Sequence, residues 1–273
     1  MGAQCVCPER KQPKHRGALT NLKAHATLMV KTIVVLPAYN EAASLPALLN
    51  RFRATLGAGD QPWEIVAVND GSTDATGDIL DQASRQLPIV RVDHEHNQGL
   101  GPALKTGLRR ALQRIHSPDD VIVCLDADNT HDPEYIAEMV RRIVAGADLV
   151  ICSRYRPGSR QVGVPLSRRL MSFGARLVFT GFLRLRGVRD YTCGYRAYRA
   201  GLLLKGFDRY GDRLIERSGF ACTDELLVRL APLAPRIEEI PFVLRYDRKQ
   251  GRSKLPFLRT VAATLRLLLH RTQ

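Results

Sequence analysis

The chain has 273 residues, 45% of them apolar, and a formal net charge of +14 from 41 Lys+Arg against 27 Asp+Glu. Such a composition fits a globular protein able to bury a sizeable core, as one large domain or one domain with an appendage. No uninterrupted apolar run of about 18 residues occurs, which argues against a spanning helix. The basic opening lacks the apolar segment of a secretory signal, and the six cysteines at 5, 7, 124, 152, 193 and 222 contain no CxxC pair, which argues against a disulfide framework or zinc site and for a reduced, cytosolic setting.

Residues 1–29 are ragged and polar and read as a disordered basic tail. Residues 32–36 (TIVVL) form a short β-branched strand closed by Pro37-Ala38-Tyr39-Asn40, and the spacing of apolar residues at 45, 48, 49, 52 and 56 predicts a helix over 41–56. The cycle repeats. Residues 64–68 are a strand, Asn69-Asp70-Gly71-Ser72 a turn whose Ser72 or Thr73 can cap a helix through about residue 86, and 89–92 a third strand. Asn97-Gln98-Gly99-Leu100-Gly101 opens a helix over 102–115 with proline in its first turn. Residues 121–125 (VIVCL) lead into Asp126-Ala127-Asp128, 133–144 are helical, and 148–152 are another strand. Strand, polar turn and helix in alternation predict an α/β, mainly parallel sheet whose turns at the carboxyl ends of the strands gather into one crevice. That crevice holds Asn40, Glu41, Asp70, Asp126 and Asp128.

The second half differs in kind. Residues 1–140 hold 14 Lys+Arg against 17 Asp+Glu, and residues 141–273 hold 27 against 10. Between Ser153 and Arg199 there are eleven arginines and a single acid, Asp190. A block of this kind attracts polyanions: nucleic acid, anionic lipid heads or phosphorylated substrates. Residues 165–187 and 255–273 interleave apolar side chains with arginine in helical spacing, the signature of helices lying in a membrane interface, although a helix packed on the domain with a solvated face has the same pattern.

An acidic pair after a buried strand suits a hard divalent ion, which binds one or two carboxylates and completes its shell with water and substrate phosphates. Turn or capping roles for Asp126, Asp128 and Asp132 are the ordinary alternative. A dinucleotide-binding oxidoreductase is disfavoured because Leu104 stands where the third glycine of GxGxxG belongs, and no phosphate loop of GxxxxGK type occurs. A nucleic-acid-binding module would use the basic half but leaves the acidic crevice unexplained.

Together, VVLPAYNEAASLPALL, EIVAVNDGSTDAT, HNQGLGPALKTGL, LDADNTHDPE, ICSRY and DYTCGYRAYR resemble family 2 glycosyltransferases of the GT-A fold, and most of all the polyprenol-phosphate (dolichol-phosphate) mannosyltransferase and glucosyltransferase type. The resemblance implies a catalytic domain over 30–254 that includes the interfacial helix 165–187, followed by a C-terminal amphipathic helix over 255–273. It implies metal-dependent, inverting transfer of a hexose from a donor of the GDP-mannose or UDP-glucose type to a polyprenyl or dolichyl phosphate. Mg²⁺ or Mn²⁺ would be the cofactor and the cytoplasmic membrane face the place of work, with no nucleic acid involved. A soluble saccharide or natural-product acceptor is the alternative within the same family.

Carried over residue by residue, the likeness implies that Pro37, Tyr39, Glu41, Asp70 and Gly99 bind the nucleotide sugar, and that Asp126 and Asp128 meet metal and diphosphate. Arg154, Arg168, Arg169, Thr192, Arg196, Arg248, Ser253 and Lys254 would serve phosphate and acceptor, with Gly194 in the same segment, and Asp126, Asp128 and Arg154 would be the catalytic set. Where the family's acidic loop runs DADLQHPPE, Thr130 stands in the place of the glutamine, leaving Asn129, His131 and Asp132 as candidates to compensate; TSGFR becomes Thr192-Cys193-Gly194-Tyr195-Arg196. The physical chemistry is coherent without the likeness: a departing nucleoside diphosphate calls for cations, and a phosphate monoester, with a second pKa of about 6, needs to be held more than deprotonated.

Overall fold

The computed structural model describes residues 1–2, 29–183, 185, 187–233 and 235–250. Most of the expected tail, the expected C-terminal helix, Ser253 and Lys254 lie outside the described residues. Seven strands form one sheet in the order β3-β2-β1-β4-β7-β5-β8: β1 (Thr32–Ala38), β2 (Trp63–Asp70), β3 (Ile89–His94), β4 (Val121–Cys124), β5 (Leu149–Ser153), β7 (Arg196–Arg199) and β8 (Ile237–Pro241). Pairs β1–β2, β1–β4, β2–β3 and β5–β8 run parallel, while β7 lies antiparallel between β4 and β5. Strands covered by helices on both faces have no solvent side, which explains why β1, β2, β4 and β5 are near-continuous apolar runs rather than alternating ones; Ile33, Val35, Ile65, Val66, Ile122, Val150 and Ile151 are all fully buried.

Helix α1 (Leu45–Leu56) buries Leu45, Leu48, Leu49 and Phe52, the face that the apolar spacing predicts; burying each such side chain contributes about 1.5–3 kcal/mol. Helix α2 (Thr76–Ser84) starts later than its turn suggested. Its first amide is served by Asp74, whose Oδ1 accepts from Thr76 N at 3.0 Å and Thr76 Oγ1 at 2.5 Å, whereas Ser72 and Thr73 bond to Asn40. Helix α3 (Leu100–Leu112) lies against β1 through Gly107, where a Cβ would come 2.5 Å from Val35 Cγ1. Helix α4 (Ile136–Val144) presents Ile136, Met139 and Ile143 to the core.

The antiparallel β7 decides the rest of the architecture. A parallel strand brings the segment after it to the carboxyl edge of the sheet; an antiparallel one brings the segment before it. Arg196 pairs in register with both Cys124 of β4 and Ile151 of β5, so the preceding segment, 190–195, arrives at the crevice. Helices α6 (Ala200–Tyr210) and α7 (Ala221–Leu230) follow and were not foreseen from the sequence. A two-stranded sheet pairs β6 (Arg160–Val162) with β9 (Val243–Arg245), and helix α5 (Leu166–Leu183), the expected interfacial helix, follows β6 in the chain. Among the described residues no helix is long and apolar enough to cross a membrane, and Cys124, Cys152, Cys193 and Cys222 are buried free thiols.

Candidate active site

The crevice is assembled from the turns after β1, β2 and β4. Asn40 adopts a left-handed φ of 51°, a conformation asparagine tolerates better than other side-chain-bearing residues. This lets its backbone N–H reach Ser72 Oγ at 3.0 Å while its Oδ1 accepts from Thr73 N at 2.8 Å. Glu41 N and Ala42 N donate to Thr76 Oγ1 and Asp74 Oδ2, so the first two turns are laced into one unit.

Asp70, at the tip of β2, is almost fully buried. Its Oδ1 lies 2.7 Å from His94 Nδ1 and accepts from Gln98 N at 3.0 Å, and its Oδ2 accepts from Gly99 N at 2.8 Å. His94 Nε2 lies 3.0 Å from Thr106 Oγ1. Two residues expected to bind nucleotide, Asp70 and Gly99, therefore meet directly, and Asp70 shapes the 97–99 loop. Gly99 has φ 95°, and a Cβ there would lie 2.6 Å from Ser218 O. Only glycine fits.

Pro37, Leu104, Asp126, Gly194 and Thr223 line one pocket at the crevice floor. The side chain of Asp126 is 37% exposed and lies 4.0 Å from His131 Nδ1, whose ring stacks on Tyr195. Asp128 is less open: Thr130 N and Oγ1 donate to its Oδ1 at 3.1 and 2.7 Å, and Lys249 Nζ donates to its Oδ2. The two carboxyls diverge electrostatically. Although the tip of Asp126 is partly open, the protein packed around it desolvates its carboxyl and pushes it up, with Asp128 adding to the effect and His131 and Lys249 opposing it; burial acts on Asp128 the same way, but Lys249, His131 and the Thr130 hydroxyl outweigh it and hold the carboxyl low. Thr130, in the glutamine's place, thus serves Asp128.

Of the possible substitutes for that glutamine, His131 is engaged in its stack, and Asp132 pairs with Arg51 at 3.1 Å and Arg248 at 2.7 Å. Asn129, with φ 62°, has a buried Oδ1 that no hydrogen bond satisfies. Among the described residues no three His, Cys, Asp or Glu side chains converge on one point. A pair of carboxylates, one already holding an ammonium, plus an orphaned carboxamide oxygen, fits a hard divalent ion that draws its remaining ligands from water and substrate.

Arg154 follows β5 and is tethered by the lone acid of the arginine-rich block. Its Nε and Nη2 donate to Asp190 at 2.8 and 2.6 Å, Nη2 also reaches Thr192 Oγ1 at 2.6 Å, and its backbone N–H meets Asp190 at 2.9 Å. Asp190 is fully buried; burial opposes its charge, but Arg154 outweighs it and holds the carboxyl below the usual range. The predicted Arg154 and Thr192 are thereby brought together. Arg168 lies over the Tyr246 ring at 5.2 Å, whereas Arg169 is exposed.

Arg196 departs from expectation. It is fully buried, and its Nη1 and Nη2 donate to the carbonyls of Thr223 and Tyr191, each at 2.5 Å; it braces helix α7 and the segment before β7. Sequence reasoning missed Lys249 and Asp190 as site residues. Asp190 could have been found from its isolation among arginines, since a buried guanidinium demands a counter-charge.

The doubly covered sheet, its crevice and its acidic strand tip define a glycosyltransferase of the GT-A fold. The chain belongs to glycosyl transferase family 2, whose model matches residues 33–207. It is similar to the undecaprenyl-phosphate mannosyltransferase of Micrococcus luteus, with 37% identity over 83% of this chain and 88% of that protein. It is also similar to the polyprenol monophosphomannose synthase of Mycolicibacterium smegmatis, with 33% identity over 82% and 81%. Among solved structures, glucosyl-3-phosphoglycerate synthase from Mycobacterium tuberculosis, in complex with Mn²⁺, uridine diphosphate and glucosyl-3-phosphoglycerate, superposes with a TM-score of 0.63 at 22% identity, covering 89% of this chain and 80% of that one. That likeness is one of fold.

Proposed function

We propose that this glycosyltransferase moves a hexose, with inversion, from a nucleoside-diphosphate sugar of the GDP-mannose or UDP-glucose type to a polyprenyl phosphate at the cytoplasmic membrane face, with Asp126 and Asp128 holding Mg²⁺ or Mn²⁺. The observation that carries this reading is the meeting, at one sheet edge, of two strand-tip carboxylates with Arg154, Arg248 and Lys249, in a chain this similar to polyprenol-phosphate mannosyltransferases.

When bound, the divalent ion supplies Lewis-acid stabilisation of the departing diphosphate. The protein's own residues do the rest. Asp70 and the Asn40–Thr73 lacing fix the loops against which base and ribose lie. Asp190 and Thr192 fix the guanidinium of Arg154 before substrate arrives, so its charge is offered to phosphate without reorganisation at the moment of reaction. The acceptor phosphate, already largely dianionic near neutral pH with a second pKa of about 6, is held by arginine rather than activated by a base.

Helix α5 supports a lipid acceptor over a soluble one. Leu166, Leu170, Phe173 and Leu177 are 68%, 64%, 46% and 58% exposed, and their spacing places them on one stripe of the helix, flanked by Arg169 and Arg176. Tyr155 Oη, beside Arg154, meets Ser172 Oγ at 3.0 Å, joining this helix to the phosphate-binding edge. The test is transfer of labelled mannose or glucose from GDP-mannose or UDP-glucose to a polyprenyl phosphate in detergent, with Mg²⁺, Mn²⁺ or EDTA. Label entering the organic phase only with a divalent ion is expected. Transfer to a soluble saccharide that is indifferent to lipid and detergent would favour the alternative acceptor, and transfer undiminished in EDTA would contradict the metal role.

A further inference from the structure

Lys249 has no part in the chemistry described so far, yet it occupies the acidic strand tip. The segment that carries it crosses the crevice and is fastened at several points: Arg245 N donates to Thr130 O at 3.0 Å, Arg248 pairs with Asp132 at 2.7 Å, and Lys249 pairs with Asp128. Beneath it Gly163, with φ 72°, leaves room for the Asp247 backbone, whose N would be 2.7 Å from a Cβ. Above it lies Arg168 of α5, stacked on Tyr246.

The division of Asp128 is informative. Its Oδ1 accepts twice from Thr130, so Oδ2 is the oxygen left for a cation, and the Lys249 ammonium holds it. Both side chains are largely buried, at 18% and 12% exposure. A divalent ion on Oδ2 would stand close to the Lys249 ammonium, and the repulsion between the two cations opposes joint occupancy of that oxygen.

Resting on the reading that Asp126 and Asp128 form the cation site, we propose that Lys249 is that site's internal counter-ion. It neutralises Asp128 while no metal is bound, and a divalent ion gains Asp128 only by displacing it, which unfastens the 246–249 segment from the acidic loop. Metal loading and movement of this strap are therefore one event. The released ammonium, carried beside Arg248, is then free to meet a phosphate.

Binding of Mn²⁺ alone to the full chain, followed by the electron paramagnetic resonance of free Mn²⁺, tests this. Lys249→Ala and Lys249→Gln should each bind Mn²⁺ on the order of tenfold more tightly than wild type, the competitor being gone. Lys249→Arg should stay near wild type, and Arg245→Ala, which removes the same charge from the same strap but contacts Asp247, should change little. Asp128→Asn should lose the site. Unchanged or weaker Mn²⁺ binding in both Lys249→Ala and Lys249→Gln, with Asp128→Asn still defective, overturns the counter-ion and leaves the cation site standing. Undiminished binding by Asp128→Asn overturns the cation site and the counter-ion with it, and equal tightening by Arg245→Ala assigns the effect to net charge and overturns the exchange. In the wild type, amides of 245–250 should exchange hydrogen faster once Mn²⁺ is added; unchanged exchange contradicts release of the strap.

Discussion

Replacing Asp190 by asparagine preserves shape and removes one charge. The carboxylate accepts from Arg154 N, Nε and Nη2 and from Cys193 N at 2.6–3.2 Å, and the ion pair is 0% exposed on the Asp190 side and 14% on the Arg154 side. The variant leaves Arg154 as a buried, uncompensated cation facing an amide that offers one acceptor instead of two. Breaking a buried pair from one side costs about 3–5 kcal/mol, which in a chain of this size lowers the melting temperature by roughly 6–20 °C. Thermal unfolding followed by circular dichroism measures it directly. Because the folded Asp190 carboxyl is held below its ordinary value, its contribution is fully present above the unfolded pKa of about 3.9 and is lost as pH falls through the folded one. The gap between wild type and variant should be constant from pH 6 to 8 (roughly the neutral range) and should narrow in acid. Pairing Asp190→Asn with Arg154→Met should cost less than the sum of the two single changes. A single variant within about 1 kcal/mol of wild type would refute the reasoning, because Arg154 would then not depend on Asp190 for its charge or its aim.

Gly101→Ala places a Cβ 1.7 Å from the carbonyl oxygen of Arg217 and should destabilise by about 1–3 kcal/mol; an unchanged melting temperature would mean that the 217–218 segment is not packed on α3. Leu170→Glu combined with Phe173→Glu should abolish sedimentation with anionic liposomes while leaving stability within about 0.5 kcal/mol, and undiminished sedimentation would remove α5 from the membrane account. Glu64 pairs with Arg114 at 2.8 Å and Lys31 at 3.1 Å; burial opposes its charge, but these partners hold its carboxyl below the ordinary 4.5. Glu64→Gln should therefore be less stable at neutral pH, with the deficit vanishing as pH falls through the folded value. Glu64 sits at the end of β2 remote from the crevice, so transfer activity at neutral pH should not change. A stability deficit that persists in acid would contradict the ion-pair origin.

Much of this architecture was legible because the physics is local. The 3.6-residue spacing of Leu45, Leu48, Leu49 and Phe52 and the short apolar runs fix helices and doubly covered strands wherever they fold, and the turns between them had to collect at one edge. What escaped depends on register and distance. In Arg196-Ala197-Tyr198-Arg199 nothing local separates a surface strand from a central one; insertion between β4 and β5 buries Arg196 and makes it structural. The first amide of α2 is served by Asp74, while the Ser72 hydroxyl accepts from Asn40, more than thirty residues earlier. Lys249 stands next to a residue that was foreseen, Arg248, but its pairing with Asp128 spans 121 positions, and no spacing rule reports such a contact.

The central claim, a strand-tip carboxylate pair that holds a cation-bound sugar nucleotide, is tested most directly by anomalous scattering at the manganese edge from crystals soaked with Mn²⁺ and GDP-mannose or UDP-glucose. An ion between Asp126 and Asp128, in contact with the diphosphate and with Lys249 withdrawn, is the predicted result. A diphosphate in the crevice with no ion at either carboxylate, or an ion bound elsewhere, would contradict it.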